Sequence, residues 1–550
     1  MPAFIFHLLI IFPSGSHYCF KDTCGIFFWG AHGHDAIWHL ALAESAFKTI
    51  PFNLPIFAGA ELTGYNYLFD FMVFLVSRLG LSTLFIYFKL FPIVWLFLIT
   101  ILSIKLARLI KDSPLFVSLF LFFVYFGGSF GYILTYLHKK TLINSSSLMA
   151  MQSGHTLINP PFAFSLICLL AILIVLNNKK INLKNYLMLG LLLFLILGFK
   201  FYGGVIAVFV VLVNFTLRLL KAKKLREFIA GVVIVGLGIF LALFIFYDPL
   251  SSSKSGAVFT FDPLATVHPF IEDQNLLYMK DKVLQRYYLQ EYGIGPRLIY
   301  IETLTLSLFL LFNFGTRSLG LLYLGYGLVK KKISSFDISV VSGIVMGILL
   351  STFLVQKGEW WNTIQFLYYS IFLANIYAAL AVYNFLKKSS IVKWFIAAII
   401  LILTIPINLD LIYQFSQFPA PSYLPKEEVE ALAFLKKQPN GVVLTDTYDK
   451  EIRGKYSAPY PLFAYDDTAY VSAFSGQKTY LANITQLRLT GINYKNRLSE
   501  IDEKNCNVLD DIDYIYELTQ QLFVKDFGTC QEKLKIIFNS KAATIYSKTK

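Results

Sequence analysis

The chain has 550 residues, of which 56% are hydrophobic, 17% aromatic and only 15% charged. This composition excludes an ordinary soluble domain, in which about 25% of residues are charged, and indicates a protein that crosses a membrane many times. The formal net charge of +14 would suggest a nucleic-acid partner in a soluble protein. Here the basic residues cluster in short connections between apolar runs, as the positive-inside rule requires, so the charge reflects membrane topology and we expect no nucleic-acid partner.

Long apolar runs follow one another along most of the chain. They lie at 84–106, 114–132, 158–177, 185–199, 201–220, 228–247, 298–329, 335–355, 363–386 and 391–411. The first apolar segment, 2–13, lacks the features of a signal peptide but is shorter than the roughly 20 residues that a span needs. Either the true start lies upstream or neighbouring helices hold this segment. With it, the sequence predicts an α-helical membrane protein with about eleven transmembrane helices.

Basic clusters set the predicted orientation. They lie at 105–111, 179–184, 218–226, 330–332 and 387–393. All are cytoplasmic if the N-terminus is cytoplasmic and the C-terminus is outside. This orientation requires segment 66–82 to lie along the outer interface; the alternative is a true span with one basic loop on the wrong side. The large loops 14–83 and 248–297 and the C-terminal tail then lie on the outer face, where we expect the active surface.

The cysteines agree with this orientation. Cys19 and Cys24 lie in the first outer loop, Cys506 and Cys530 in the tail, and Cys168 alone lies in a span. An oxidising compartment permits disulfides, and two local pairs are the natural division, although four cysteines allow three connectivities. We expect Cys168 to be a small buried apolar residue.

The composition changes from about Phe418, where charge density rises. We interpret 1–411 as the transmembrane catalytic domain, 412–424 as a linker and 425–550 as an extracytoplasmic α/β domain. In the tail, a helix is predicted at 426–437 and strands at 441–446, 514–518, 534–538 and 543–546. Asp446, at the end of a strand, is a candidate site residue, but capping of a turn is the commoner role.

The first outer loop contains the polar segment Gly33-His34-Asp35-Ala36-Ile37-Trp38-His39. Asp35 is placed to cap the N-terminus of an amphipathic helix over 36–48 that could lie on the membrane surface. The same carboxylate, with His34 directly before it and His39 one helical turn later, is placed to accept a proton from an acceptor hydroxyl. Both roles are compatible.

This segment, with Gly64-Tyr65-Asn66-Tyr67-Leu68-Phe69-Asp70 and Lys105-Leu106-Ala107-Arg108-Leu109, resembles the GT-C superfamily of membrane glycosyltransferases. The shared layout is an acidic residue in the first outer loop, an interfacial helix and a second span with a basic end. The resemblance covers residues 1–411 and also includes the presence of an outer C-terminal domain. It implies sugar transfer from a polyprenyl-phosphate carrier to a glycan, lipid or protein acceptor, outside the plasma (inner) membrane. Asp35 would be the base or a metal ligand.

The resemblance also implies a cation near the departing phosphate. Lys200 is similar in position to the phosphate-proximal lysine of several members, although a lysine that snorkels to the interface is equally expected. His268 and Arg297 lie in the long loop where the family often binds carrier phosphate, with an interface anchor as the alternative. The remaining candidate substrate-binding residues are His34, His39, Glu61, Tyr65, His155 and Tyr202.

A divalent metal ion is the narrower alternative, and no cofactor is certain. Asp35 and His39, with Glu61 or His155, would give a mixed oxygen and nitrogen ligand set. Two other functions are considered: a transporter or flippase for a lipid-linked glycan, and a polysaccharide polymerase or ligase. Few ionisable residues lie at mid-membrane depth and no internal repeat is evident, which argues against the transporter.

Overall fold

A computed structural model describes residues 2–144, 148, 150, 153–178, 182–222, 224–249, 258–357, 359–387 and 390–549. The basic clusters at 179–184, 218–226 and 387–393 and the loop 248–297 are therefore described only in part. The chain divides into two compact units. The helical unit comprises the described residues of Met1–His7, Val94–Ile245 and Gly256–Gln414, and the loop-and-tail unit comprises those of Leu8–Ile93, Phe246–Ser255 and Phe415–Lys550.

Apolar helices account for most of the chain before residue 417. In the described ranges, six helical stretches are long and apolar enough to cross a membrane: Thr83–Ile110, Phe201–Lys221, Leu225–Tyr247, Pro296–Val329, Ser335–Phe353 and Trp360–Leu386. Two bent pairs raise the number to eight if each is one span: Pro114–Phe126 with Gly131–Lys139, and Ile391–Thr404 with Pro406–Ser416. Shorter apolar helices occupy Pro2–Ile11, Pro160–Leu176 and Leu183–Phe199. Each predicted apolar run thus contains helix, whereas the total of about eleven spans stays a prediction.

The long run 298–329 is divided between two helices. The helix Pro296–Phe314 is followed by a 3₁₀ turn, Gly315–Arg317, and by the helix Ser318–Val329. The buried Arg317 guanidinium donates hydrogen bonds to the carbonyl oxygens of Phe314 (3.0 Å) and Gly128 (3.1 Å). It therefore satisfies one carbonyl at the end of its own preceding helix and one at the break between Pro114–Phe126 and Gly131–Lys139.

Short elements complete the helical unit. They are the helices Ser153–Leu157, Pro269–Glu272 and Lys280–Gln290, the 3₁₀ turn Trp360–Ile364, and the paired strands Phe259–Phe261 and Leu354–Gln356.

The loop-and-tail unit contains a sheet that the first loop and the tail build together. Its strands, in spatial order, are Ser16–Phe20, Thr23–Phe28, Ser422–Pro425 and Tyr460–Pro461. The Cys19–Cys24 disulfide joins the first two strands, and Thr23–Phe28 pairs antiparallel with Ser422–Pro425. The first loop, which sequence analysis assigned to the transmembrane domain, therefore lies in one compact unit with the tail.

A second sheet has five strands. Their spatial order is Leu534–Asn539, Ala543–Lys548, Tyr514–Leu518, Val442–Thr445 and Lys478–Thr479. The last three run parallel to one another. The Cys506–Cys530 disulfide is also formed, and Cys168 is a buried free thiol. Both predicted cysteine pairs are thus confirmed, and of the predicted tail strands 514–518 has its predicted ends, whereas the other three occur with shifted ends.

Helices of the loop-and-tail unit surround these sheets. The α-helices are Asp35–Ser45, Leu68–Ser77, Thr83–Phe85, Lys426–Lys436, Leu462–Tyr465, Tyr470–Ser475, Ile484–Thr490 and Lys495–Asp502. The 3₁₀ segments are Gly30–Gly33, Ala46–Lys48, Ile452–Lys455, Cys506–Asp510 and Val524–Lys533. The helix in the segment 66–82 has 10 residues, about half of what a span requires, which agrees with the prediction that this segment does not cross.

Gly25 tests the pairing between the first loop and the tail. A Cβ at this position would lie 2.0 Å from the Leu424 carbonyl oxygen, which belongs to a paired strand and cannot yield easily. We expect Gly25→Ala to lower the free energy of unfolding by about 2 kcal/mol, as overpacking does. Thermal unfolding of the purified full-length protein measures this. Gly454→Ala is the control, because no atom lies within 4 Å of its Cβ position; equal stability of the two variants would contradict the pairing.

Candidate functional site

Asp35 is the first residue of a helix that is buried along its length. The helix Asp35–Ser45 follows the 3₁₀ turn Gly30–Gly33, and each residue from Ala36 to Ala43 is buried. It packs against the helices Leu68–Ser77 and Tyr470–Ser475. The expectation of an amphipathic helix on the membrane surface is therefore wrong for this segment, because burial is not confined to one face. Asp35 itself keeps a side chain that is 50% exposed.

His34 is the charge partner of Asp35. Its Nδ1 lies 3.0 Å from the Asp35 Oδ1. Burial lowers the pKa of His34, but the hydrogen bond and charge of Asp35, with the charges of Asp466 and Asp467, outweigh burial and raise this pKa above its usual value. The His34 imidazolium is thus favoured beside the carboxylate, and the tail contributes two of the charges that favour it.

His39 has a different partner from the one predicted. Its Nδ1 lies 2.8 Å from the Asp70 Oδ1, and the two side chains are 7% and 0% exposed. Asp70 comes from the helix Leu68–Ser77, so this pair ties together two helices of the first loop. Asp70 belongs to a segment that carries the family resemblance, but the sequence does not mark it as the partner of His39.

Tyr65 lies close to the Asp35 helix, whereas Glu61 lies at the surface. The Tyr65 hydroxyl accepts a hydrogen bond of 2.9 Å from the Trp38 indole N–H. Burial, then the charge of Asp70 and more weakly that of Asp35, raises the pKa of Tyr65 well above its usual value, so the phenol is neutral. Glu61 is exposed in a β-bridge with Asn53. The structure therefore gathers His34, Asp35 and Tyr65 in the loop-and-tail unit.

The other predicted residues belong to the helical unit. Lys200 is the single residue between the helices Leu183–Phe199 and Phe201–Ala222, and it is half-buried. The Tyr202 hydroxyl donates a hydrogen bond of 2.7 Å to the Gln356 side-chain oxygen. The side chain of His155, in the helix Ser153–Leu157, lies outside the described part of the chain.

His268 lies in a network of charges that sequence analysis did not identify. Its Nε2 is 2.8 Å from the Glu302 Oε2, and its Nδ1 is 3.0 Å from an Arg286 nitrogen. Arg286 also binds Glu302 at 3.0 Å and contacts Glu272. Both ring nitrogens of His268 are thus engaged within the protein. Arg297 is exposed in the first turn of its helix.

The described side chains do not form the metal-binding set that sequence analysis considered. Within the described ranges, no group of three or more His, Cys, Asp or Glu side chains is arranged to hold a metal ion. His39, one of the two proposed ligands, is held by Asp70 at 2.8 Å. We therefore assign no step to a metal ion.

The tail contains a buried acid. Glu428, in the first turn of the helix Lys426–Lys436, is 1% exposed. The Tyr516 hydroxyl donates a hydrogen bond of 3.0 Å to its Oε2. Burial raises the pKa of Glu428 to about 8, although hydrogen bonds from Tyr516 and Tyr470 oppose this shift. A carboxyl group in the first turn of a helix is usually solvated, so the sequence did not signal this burial.

No family model matches the chain, and no curated protein matches it in sequence. Among solved structures, it is similar to the arabinofuranosyltransferase AftD from Mycobacteria, with a TM-score of 0.50 and 12% identity, over 100% of this chain and 40% of that chain. AftD is a GT-C enzyme. This chain has the GT-C fold.

Two further GT-C structures are similar at lower TM-scores. One is the archaeal oligosaccharyltransferase AglB from Archaeoglobus fulgidus, in complex with an inhibitory peptide and a dolichol-phosphate (TM-score 0.49, 13% identity, 97% of this chain and 70% of that chain). The other is ArnT from Cupriavidus metallidurans bound to undecaprenyl phosphate (TM-score 0.38, 9% identity, 99% of this chain and 96% of that chain). The likeness to AftD confirms the GT-C resemblance drawn from the sequence at the level of the fold.

The buried His39–Asp70 pair is expected to contribute to the stability of the folded protein. Asp70→Ala leaves the buried His39 without the carboxylate at 2.8 Å, and we expect a loss of about 3 kcal/mol in the free energy of unfolding, as when one partner of a buried pair is removed. Thermal unfolding measures the loss. The matched control is Asp22→Ala in the exposed hairpin turn, which should unfold like the wild type; an Asp70→Ala protein as stable as this control would refute the structural role of the pair.

The raised pKa of Glu428 predicts how the free energy of unfolding depends on pH. Its folded-state pKa of about 8 lies above the ordinary value of 4.5, so between these pH values the folded protein holds a proton that the unfolded chain has lost. This difference makes the free energy of unfolding fall as the pH rises from 4.5 to about 8. Glu428→Gln carries no titrating group, so its melting temperature should rise relative to the wild type over this pH range. Parallel pH profiles for the two proteins would show that Glu428 does not titrate in this way.

Proposed function

We propose that the chain is an integral membrane glycosyltransferase that moves a sugar from a polyprenyl-phosphate carrier to an acceptor on the extracytoplasmic face of the cell membrane. The observation that supports this most is the half-exposed Asp35 carboxylate, fixed at the start of a buried helix in a chain with the GT-C fold. A base on a rigid element keeps the geometry that proton transfer needs. The N-terminus is proposed to be cytoplasmic and the tail extracytoplasmic.

In the proposed reaction, an acceptor oxygen attacks the anomeric carbon of the donor sugar. The bond from that carbon to the phosphate oxygen breaks, and the polyprenyl phosphate leaves with the electron pair. The acceptor proton passes to Asp35, which acts as the general base. His34, whose pKa is raised beside Asp35, stays cationic to higher pH and so favours the ionised carboxylate, the form that accepts a proton.

The leaving phosphate needs a compensating positive charge. We propose Lys200, between two apolar helices, and the exposed Arg297 for this role. His268 is a weaker candidate, because its two ring nitrogens are held by Glu302 and Arg286. Tyr65 and Tyr202 are proposed to contact substrate through their phenol groups, and Glu61, His39 and His155 stay predictions from the sequence.

Asp35→Asn tests the proposal. Membranes that contain the full-length variant should transfer labelled sugar from polyprenyl phosphate at least about 100-fold more slowly than wild-type membranes, because the proton acceptor is lost. The matched control, Asp22→Asn, changes an exposed carboxylate in the hairpin of the same loop and should keep the wild-type rate. A wild-type rate in the Asp35→Asn membranes would refute the assignment of the base.

The same membranes separate the enzyme from a transporter. If the wild-type protein transfers no sugar but moves a glycolipid between leaflets, the proposed enzyme activity is wrong and the flippase alternative gains support.

A further inference from the structure

A pocket lies at the carboxyl ends of the parallel strands in the five-stranded sheet. Val442–Thr445 and Tyr514–Leu518 run parallel, and Thr445, Asp446, Leu518 and Gln521 line the pocket. Ligands of open α/β sheets bind outside the carboxyl ends of the strands. The position is thus where such a sheet offers a binding site, and every lining residue belongs to the loop-and-tail unit.

The walls combine hydrogen-bond acceptors with aromatic rings. Asp446 and Asp466 supply carboxylates, and Tyr448 and Tyr470 supply rings. Asp446 is balanced in part by Lys504, at 3.5 Å. Carboxylates accept hydrogen bonds from hydroxyl groups, and aromatic faces pack against apolar ring surfaces. A sugar ring presents both kinds of surface.

Thr468 provides an independent indication of a ligand. It lines the pocket, its residue is only 7% exposed, and among the described residues its hydroxyl has no hydrogen-bond partner. Buried hydroxyl groups without partners are costly and therefore rare. A ligand hydroxyl in the pocket would supply the missing hydrogen bond. The interior admits a few water molecules, which is the size of one hydroxyl-bearing edge of a sugar ring.

The rim of the pocket lies close to the candidate base. Asp466 and Asp467, both in the lining, act electrostatically on His34, and His34 bonds Asp35 at 3.0 Å. Tyr465, which precedes Asp466, donates a hydrogen bond of 3.5 Å to the Gly30 carbonyl, and the charge of Asp35 contributes to raising its pKa. The pocket lining is therefore within electrostatic range of the His34–Asp35 pair.

We propose that this pocket binds the acceptor and that the acceptor is a saccharide, whose hydroxyl groups bond Thr468 and the Asp446 and Asp466 carboxylates. This inference rests on the proposed function, because it names the acceptor class of the same reaction.

Binding of simple sugars to the full-length protein tests the inference. The probes are methyl hexopyranosides and methyl pentofuranosides, and the protein is held in lipid nanodiscs because maltoside detergents would themselves present sugars. In saturation-transfer NMR titrations, we expect at least one probe to bind the wild type. Thr468→Val and Tyr448→Ala should each weaken that binding by about tenfold or more, since a site built to bond a hydroxyl discriminates strongly.

Two controls make the result specific. Thr519→Val removes an exposed threonine hydroxyl of the tail outside the pocket and should bind like the wild type, and circular dichroism checks that each variant is folded. Equal affinity of Thr468→Val, Tyr448→Ala and the wild type would overturn the inference. Binding of a trilysine peptide without binding of any sugar would also overturn it, because the carboxylates would then select positive charge.

Asp35→Asn separates this inference from the proposed function. If the variant binds the sugar normally but loses transfer, both stand. If it still transfers at the wild-type rate, the proposed base is wrong, whereas the pocket result is unaffected. If it loses transfer and no sugar binds the wild type, the acceptor inference alone fails.

Discussion

The candidate site depends on one constraint, the antiparallel pairing of Thr23–Phe28 with Ser422–Pro425. The chain that leaves this pairing reaches Asp35 through Trp29 and the turn Gly30–Gly33. Two hydrogen bonds to the tail hold this segment in place. The Trp29 indole N–H donates a hydrogen bond of 2.8 Å to the Gln417 carbonyl, and the Ser422 hydroxyl donates one of 3.3 Å to the Phe28 carbonyl.

The glycines of the turn show how close this approach is. Gly30 has φ +52°, and a Cβ there would lie 2.4 Å from the Phe415 ring, while a Cβ at Gly33 would lie 2.2 Å from the Ser422 hydroxyl oxygen. The positive φ favours glycine at position 30, and a Cβ at either position would require the neighbouring tail side chain to shift. The tail therefore fixes where the Asp35 carboxylate stands, in addition to any role in binding an acceptor.

Two His–Asp pairs at the Asp35 helix have opposite roles, and burial decides between them. His39 and Asp70 are removed from water, so removing either partner costs much more than the pair contributes. His34 and Asp35 are 30% and 50% exposed, so their attraction contributes little to stability. Access to solvent and substrate is what general-base chemistry requires. The helix Asp35–Ser45 thus carries one histidine in a buried pair, His39 with Asp70, while its first residue, Asp35, forms a solvent-accessible pair with the preceding His34.

Local signals in the sequence predicted what depends on local chemistry. Apolar runs predicted the helices, and short sequence separation predicted the Cys19–Cys24 and Cys506–Cys530 pairs. Contacts between distant segments could not be predicted in this way, because no periodicity links Thr23–Phe28 to Ser422–Pro425 or His39 to Asp70. Burial of Glu428 is an intermediate case. It begins the stripe that continues with Ala431, Leu432 and Leu435, at helical spacing, but an acid in a first turn is normally explained by the helix dipole.

The helical unit gives a physical reason to prefer some cations over others as partners for the proposed carrier phosphate. Arg286 pairs with the carboxylates of Glu272 and Glu302, and His268 pairs with that of Glu302. Because two carboxylates already neutralise the positive charge of this network, it attracts a dianionic phosphate only weakly. Breaking its ion pairs to bind the phosphate would leave buried charge without a partner. Arg297, exposed in the first turn of its helix, is not part of this network and can approach a phosphate without that cost.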